Sequence, residues 1–283
     1  MQAFSGSPHM QPSLRQIGRR RLAPAAIGVL AAIFSGAAHG AGALEKKISA
    51  RVARSSCADY VWLDRRRAPI GYVKGVALTY AKSFCEMKGG QHSAVELMIS
   101  PLGDAGQDAL SHYGLKLPTA NKRLRGLYTL ALGLGMRESS GNTTEGWDRR
   151  VKSPTADTAE AGLFQTSYDS FDRSPWLKAL WDQYRANTRA CHLEVFREGI
   201  ADREHPIIGS GAGADFQRFT KACPSFATEY AMVMLRVDRA HYGPVNRKEA
   251  QYLRACYRLL ADVESIATRS CAKAAPPPHS PTR

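Results

Sequence analysis

The segment from Leu124 to Ser167 constrains the fold more than any other part of the chain. Its first half is apolar on almost every side, and its apolar residues also follow the i, i+3, i+4, i+7 spacing of a helix. This pattern predicts a buried helix. Gly126, Gly133 and Gly135 lie within it, and each glycine costs a helix about 0.5–1 kcal/mol relative to alanine. We therefore expect neighbouring segments to pack closely against this helix.

The predicted helix ends in a carboxylate. Glu138 comes directly before Ser139, and the Gly141-Asn142 pair that follows is a helix stop signal. Burial favours the protonated acid, and the negative end of the helix dipole adds about 0.3–1 kcal/mol in the same direction. A general acid that works near neutral pH needs such a raised pKa. Glu138 is therefore a candidate catalytic acid, and the ordinary alternative is a solvated cap or a surface ion pair.

Residues 1–40 have the pattern of a signal peptide. Arg19, Arg20 and Arg21 form a basic region, an uncharged run extends from Leu22 to Ala38, and small residues flank His39. We predict cleavage there and export to the periplasm or outside the cell, with no stable membrane insertion afterwards. A retained membrane anchor is the alternative, since the apolar run is close to the minimum length of a spanning helix.

The exported part of the chain is strongly basic. Residues 1–40 carry four arginines and no acidic residue, so their removal lowers the formal charge from +14 to +10. A basic protein outside the cytoplasm suits polyanionic partners such as cell-wall and outer-envelope polymers, although the charge could also serve only solubility. A nucleic-acid partner is not expected, because it would require the protein to stay in the cytoplasm.

All the cysteines lie after the predicted signal peptide. An even number of cysteines in an exported chain predicts disulfides, but the sequence does not choose among the possible pairings. No CxxC spacing is present, which argues against a zinc site or a redox motif. We predict a single domain over residues 41–271, stapled by disulfides among the six cysteines Cys57, Cys85, Cys191, Cys223, Cys256 and Cys271.

The fold class predicted from the pattern is mainly α, with at most a small β element in the loop over residues 141–160. The Gly-rich segment 207–215 is expected to be a surface loop, because no βαβ unit surrounds it. Residues 272–283 are rich in proline and poor in apolar residues, so this tail is expected to be disordered. Besides the central helix, the spacing predicts helices over residues 43–67, 71–88, 94–99, 174–199, 216–243 (divided at Pro224) and 246–271.

Two motifs carry a resemblance to a known family. Glu138-Ser139 is followed, after a loop, by Gly162-Leu163-Phe164-Gln165. This pattern resembles the lysozyme-like superfamily, specifically soluble lytic transglycosylases and goose-type lysozymes, in which a helix ending in Glu-Ser precedes a Gly-Leu-Met-Gln motif. The family's later Ala-Tyr-Asn-Ala-Gly motif has a poorer counterpart around Tyr242, and the loop before Gly162 is longer here. The resemblance covers about residues 124–244.

The resemblance implies a lysozyme-like helical domain that cleaves the β-1,4 bond between N-acetylmuramic acid and N-acetylglucosamine in peptidoglycan. Glu138 would protonate the leaving oxygen and then act as a base toward the muramyl 6-hydroxyl, which yields a 1,6-anhydro end. No metal or organic cofactor is implied, and the histidines show no metal-binding spacing. The residues that would bind sugar or orient Glu138 are Ser139, Gly162, Leu163, Phe164, Gln165 and Tyr242.

A second carboxylate would instead favour hydrolysis. An inverting glycosidase places it about 6.5–9.5 Å from the acid and a retaining one about 5–5.5 Å from it. Asp148, Asp157 and Glu160 are candidates, and each could also be a solvated loop charge. Trp147, Tyr168 and Phe171 could stack on sugar rings or pack in the core. A goose-type-like muramidase and a non-catalytic wall-binding or scaffold protein are therefore the alternatives to a lytic transglycosylase.

Overall fold

The computed structural model describes residues 35–148, 152–200 and 205–271. Residues 1–34 of the predicted signal peptide lie outside the described residues. The predicted disordered tail, residues 272–283, also lies outside them. Within the described ranges, no helix combines the length and the apolar character that crossing a membrane requires.

The chain is mainly helical, which confirms the predicted fold class. Short 3-10 turns at Tyr168–Arg173, Thr188–Cys191 and Arg239–His241 separate some of the helices. The α-helices are α1 (Ser35–Val52), α2 (Ile70–Gly89), α3 (Val95–Ile99), α4 (Ala109–His112), α5 (Ala120–Ser139), α6 (Pro175–Ala186), α7 (Leu193–Phe196), α8 (Ala212–Ala222), α9 (Pro224–Val237), α10 (Gly243–Asn246) and α11 (Arg254–Cys271).

The small β element lies in a different place from the one predicted. Residues 43–67 are not one helix, because α1 ends at Val52 and a hairpin follows. In this hairpin β1 (Val61–Trp62) pairs antiparallel with β2 (Arg66–Arg67). The described residues of the 141–160 loop contain no strand, and a single bridge joins Ala161 to Thr166 just after that loop.

Further helix boundaries differ from the prediction. Residues 174–199 contain α6 and the short helix α7, separated by a 3-10 turn, and α9 ends at Val237, before residue 243. The helix predicted over residues 246–271 begins only at Arg254, and the residues before it form the short helix α10 and turns. The Gly-rich segment 207–215 is a loop only as far as Gly211, and α8 begins at the next residue, Ala212.

The core of the fold is built around α2, α5 and α9, which all contact one another. Helices α1 and α11 pack together and against α2, and α11 also contacts α5. Helices α6 and α8 pack against α9. The buried apolar residues form one continuous cluster that extends from Ile48 in α1 to Ala267 in α11.

The glycines of α5 lie where other segments approach its backbone. A Cβ atom on Gly133 would lie 2.3 Å from the carbonyl oxygen of Gln251, and one on Gly135 would lie 2.4 Å from the hydroxyl of Tyr72. A larger residue at either position would therefore overlap its neighbour. This confirms the expected close packing and explains how a helix with three glycines is stabilised.

Three disulfides connect segments that are distant in the sequence, as predicted for an even number of cysteines. Cys57–Cys256 joins the segment after α1 to α11, and Cys85–Cys271 joins α2 to the end of α11. Cys191–Cys223 joins the segment before α7 to the junction of α8 and α9. Each bridge restricts the unfolded chain, an effect worth about 2–4 kcal/mol per disulfide.

Candidate active site

A cavity of about 790 Å³ opens at the C-terminal end of α5. Its walls come from the β-hairpin, the end of α5, the loop residues 145–148, residues 160 and 165, and the segment around α10. Most of its lining residues are polar or charged. They are Arg65, Arg137, Glu138, Glu145, Gly146, Trp147, Asp148, Glu160, Gln165, His205, His241, Tyr242, Gly243, Pro244, Arg247 and Glu249.

Glu138 reaches this cavity because α5 ends one residue after it. Ser140 adopts the left-handed conformation at the end of the helix (φ 56°), and Gly141 follows with φ 78°. The Glu138 side chain is half-buried. Burial raises its pKa from 4.5 to about 8, with a further contribution from the charge of Glu160. Glu138 therefore holds its proton at neutral pH, as a general acid must.

The Gly162–Gln165 motif forms a tight turn beside Glu138. The backbone N–H of Ala161 donates to the carbonyl of Thr166 (3.0 Å), and the N–H of Gln165 donates to the carbonyl of Gly162 (3.3 Å). Gly162 has φ 74°, a conformation that favours glycine. The side chains of Leu163 and Phe164 are fully buried in the core and do not line the cavity. They anchor the turn, whereas Gln165 lines the cavity.

Ser139 connects this turn to α5. Its side chain is buried, and its hydroxyl donates to the carbonyl oxygens of Leu163 (2.8 Å) and Gly135 (3.1 Å). The cavity lining does not include Ser139. Its place in the structure is therefore that of a positioning residue, which holds the turn against the end of the helix that carries Glu138.

Tyr242 is a buried residue in the wall of the cavity. Its hydroxyl has no hydrogen-bond partner among the described residues. Burial raises the pKa of this phenol well above its usual value, and the charges of Glu138 and Glu160 raise it further. The hydroxyl is thus within electrostatic range of both carboxyl groups and donates no hydrogen bond to a described residue.

Of the three candidate second carboxylates, Glu160 is the best placed. It is half-buried, and burial together with the charges of Asp148 and Asp169 raises its pKa to about 7. Asp148 also lines the cavity but is exposed. Asp157 is exposed and does not line it. The structure therefore brings Glu138 and Glu160 into one cavity and leaves Asp157 outside.

Of the aromatic residues predicted to stack on sugar rings, one lines the cavity and two pack in the core. Trp147 lines the cavity and is half-buried. Tyr168 and Phe171 instead pack edge-on against each other (5.2 Å between centroids) and against Phe216 in the core. Trp147 is thus the aromatic residue of the three that a ligand in the cavity can reach.

The sequence did not reveal several charged residues of the cavity. Arg65, Arg247 and Glu249 come from segments far from the two motifs, and no local pattern marks them. Arg137 directly precedes Glu138, which is the one signal that could have drawn attention to it. His205 lies 3.7 Å from the carboxylate of Glu145 in the same cavity.

Comparisons of the chain with protein-family models, with curated proteins and with solved structures found no match. The resemblance to lysozyme-like enzymes therefore stays a prediction from the two motifs. Among the described residues, no group of three or more His, Cys, Asp or Glu side chains is arranged to hold a metal ion.

Proposed function

We propose that this chain is an exported glycosidase that cleaves the β-1,4 bond between N-acetylmuramic acid and N-acetylglucosamine in peptidoglycan. The observation that carries the proposal is the position of Glu138. Its half-buried carboxyl lies at the end of α5 in a large polar cavity, beside Gln165 and Tyr242. The disulfides agree with an oxidising compartment such as the periplasm.

The preferred reaction is that of a lytic transglycosylase. With a pKa of about 8, Glu138 is protonated at neutral pH and can donate its proton to the glycosidic oxygen as the bond from that oxygen to C1 of the muramyl sugar breaks. The resulting carboxylate then takes the proton of the muramyl 6-hydroxyl, whose oxygen bonds to C1. The product is a 1,6-anhydro sugar, the proton on Glu138 is restored, and no water is consumed.

Tyr242 supplies a hydrogen-bond donor close to the carboxyl group of Glu138, which becomes negatively charged when it gives up its proton. Its unpartnered hydroxyl lies near Glu138 and Glu160. In this mechanism it donates a hydrogen bond to the Glu138 carboxylate that forms when the proton leaves. A hydrogen bond to the ionised form lowers the energy of that form.

Glu160 favours a second candidate function, a muramidase that hydrolyses the same bond. It lines the same cavity, and with a pKa of about 7 part of its population is ionised at neutral pH. An ionised carboxylate could accept a proton from an attacking water molecule. The two reactions share Glu138 as the acid and differ in the nucleophile.

Mass spectrometry of muropeptides released from purified peptidoglycan tests the proposal. The wild type is expected to produce 1,6-anhydro ends, and Glu138→Gln to slow their release by about 100-fold or more, because the variant cannot donate a proton. Asp157→Asn, which removes an exposed loop carboxylate outside the cavity, is the matched control.

The products distinguish the alternatives. Reducing ends that carry one added water, with their formation abolished in Glu160→Gln, would establish the muramidase. Undiminished cleavage by Glu138→Gln would exclude Glu138 as the acid. A wild type that binds the cell wall in a sedimentation assay and releases no fragments would be a wall-binding or scaffold protein.

A further inference from the structure

The cavity wall beside Glu138 is cationic because three arginines from distant segments meet there. Arg65 comes from the β-hairpin, Arg137 from the last turn of α5, and Arg247 from the residues after α10. Arg65 donates from Nη2 to the backbone carbonyl of Arg137 (3.0 Å). We name Arg65, Arg137 and Arg247 the arginine rim.

The arginine rim carries more positive charge than the described residues around it neutralise. Glu249 accepts hydrogen bonds from Arg137 (2.9 Å) and from Arg247 (2.7 and 3.1 Å). Asp64 lies 3.8 Å from Arg137, but its side chain is 74% exposed. Among the described residues no carboxylate forms an ion pair with Arg65, and the Arg247 side chain is 62% exposed. The rim can therefore accept an anionic group from a ligand.

The cavity also has an acidic part. Glu145, Asp148 and Glu160 are among its lining residues. The charge of Asp148 is one of the causes that raise the pKa of Glu160, whereas the arginines of the rim lower the pKa of Glu138. An anionic group on a ligand is thus attracted to the rim and repelled from the region of Glu160. The charges of the cavity therefore favour one orientation of an anionic ligand.

We propose that Arg65 and Arg247 bind a carboxylate carried by the lactyl branch of the muramyl residue. This inference rests on the proposed function, which places the muramyl sugar beside Glu138, and it names the residues that bind the branch of that sugar. The muramyl sugar differs from N-acetylglucosamine by this branch, which ends in a free carboxylate or continues into a stem peptide with carboxylates of its own. A guanidinium group binds a carboxylate through two parallel hydrogen bonds. The rim therefore holds the glycan strand with a muramyl residue beside Glu138.

Calorimetric titration of the full chain carrying Glu138→Gln tests this proposal without interference from cleavage. Three glycan preparations serve as ligands: strands with stem peptides, strands stripped by an amidase to free lactyl carboxylates, and stripped strands whose carboxylates have been converted to amides. The anionic strands are expected to bind about fivefold more tightly than the amidated strands, the effect of one exposed charged pair. The stronger binder of the first two preparations identifies the carboxylate.

Substitutions in the arginine rim then test whether these residues cause the difference in affinity between anionic and amidated strands. Adding Arg247→Gln or Arg65→Gln is expected to bring the ratio of anionic to amidated affinity close to one. Arg67→Gln is the matched control, because Arg67 is exposed in the same hairpin and does not line the cavity. It is expected to leave the ratio unchanged.

Two results would overturn the proposal. One is equal affinity of the Glu138→Gln chain for anionic and amidated strands. The other is a loss in Arg67→Gln as large as in Arg247→Gln, which would mean that the general positive charge of the protein attracts the strands. If the wild type cleaves no peptidoglycan, the proposed function fails, whereas the affinity ratio still decides whether the arginine rim binds carboxylates.

Discussion

Replacing Glu160 by glutamine tests the electrostatic coupling between the two carboxyl groups of the cavity. The pKa of Glu138 is raised from 4.5 to about 8, which corresponds to a cost of about 5 kcal/mol for its ionised form. Burial is the largest cause and the charge of Glu160 is the next. Glutamine keeps the size of the side chain and removes only the charge.

The direction of the effect follows from the proposed role of Glu138 as an acid. In that role Glu138 must hold its proton, so the rate of cleavage is expected to fall as the pH rises through the pKa of Glu138. Without the charge of Glu160, Glu138 ionises more easily, and its pKa falls by about one pH unit. Because Glu160 itself has a pKa of about 7, its charge is present only toward higher pH, where the wild type and the variant should differ most.

The assay is the initial rate of fragment release from purified peptidoglycan, measured from acidic to alkaline pH. The midpoint of the alkaline decline is expected to lie about one pH unit lower in Glu160→Gln than in the wild type. Asp157→Asn removes a carboxylate of the same loop from outside the cavity and should leave the midpoint in place. An unchanged midpoint in Glu160→Gln, or one that moves to higher pH, would refute the coupling of the two groups.

Four substitutions test how the site and the helix that carries it are built. Because the pKa of Glu138 rises from 4.5 to about 8 on folding, stability is lost as the pH increases over that interval. Glu138→Gln should reduce this loss, as calorimetry of the melting temperature at several pH values would show. Ser139→Ala should lower the free energy of unfolding in urea by about 1–3 kcal/mol, because it removes the hydroxyl that donates to the carbonyl oxygen of Leu163. Gly133→Ala should lower it by about 1–3 kcal/mol or more, since its Cβ would lie 2.3 Å from the backbone oxygen of Gln251. Gly126→Ala, which would meet only a flexible side chain, should cost less in the same urea experiment. Unchanged stability of Gly133→Ala would contradict the close packing of α5.

The central helices could be predicted because their signal is local. Helices α2 and α5 are buried over much of their length and α9 over almost all of it, and their apolar residues follow one another closely in the sequence. Gly90 ends α2 in the left-handed conformation that favours glycine. The packing around the glycines of α5 could be expected for the same reason, since an unfavourable helix residue in a buried segment requires close neighbours.

The helix predictions that failed over residues 53–67 and 247–253 share one physical cause. These two segments contact each other, and the contacts hold both in non-helical conformations. The backbone N–H of Leu63 donates to the side chain of Gln251 (3.0 Å), which in turn donates to the hydroxyl of Tyr60 (3.1 Å). The Cys57–Cys256 disulfide ties the first segment to the beginning of α11, directly after the second segment. Helical spacing within one segment contains no information about such a partner.

For the candidate site, the sequence by itself determined that Glu138 lies at the end of a buried helix and that the stop signal Gly141-Asn142 follows it. Both depend on interactions between residues close in the chain. Only the tertiary structure decided which charges surround that carboxyl: Glu160 raises its pKa, and Arg65 and Arg247 lower it. These charges act through space at short range, and the folded chain brings them together from segments that share no local pattern.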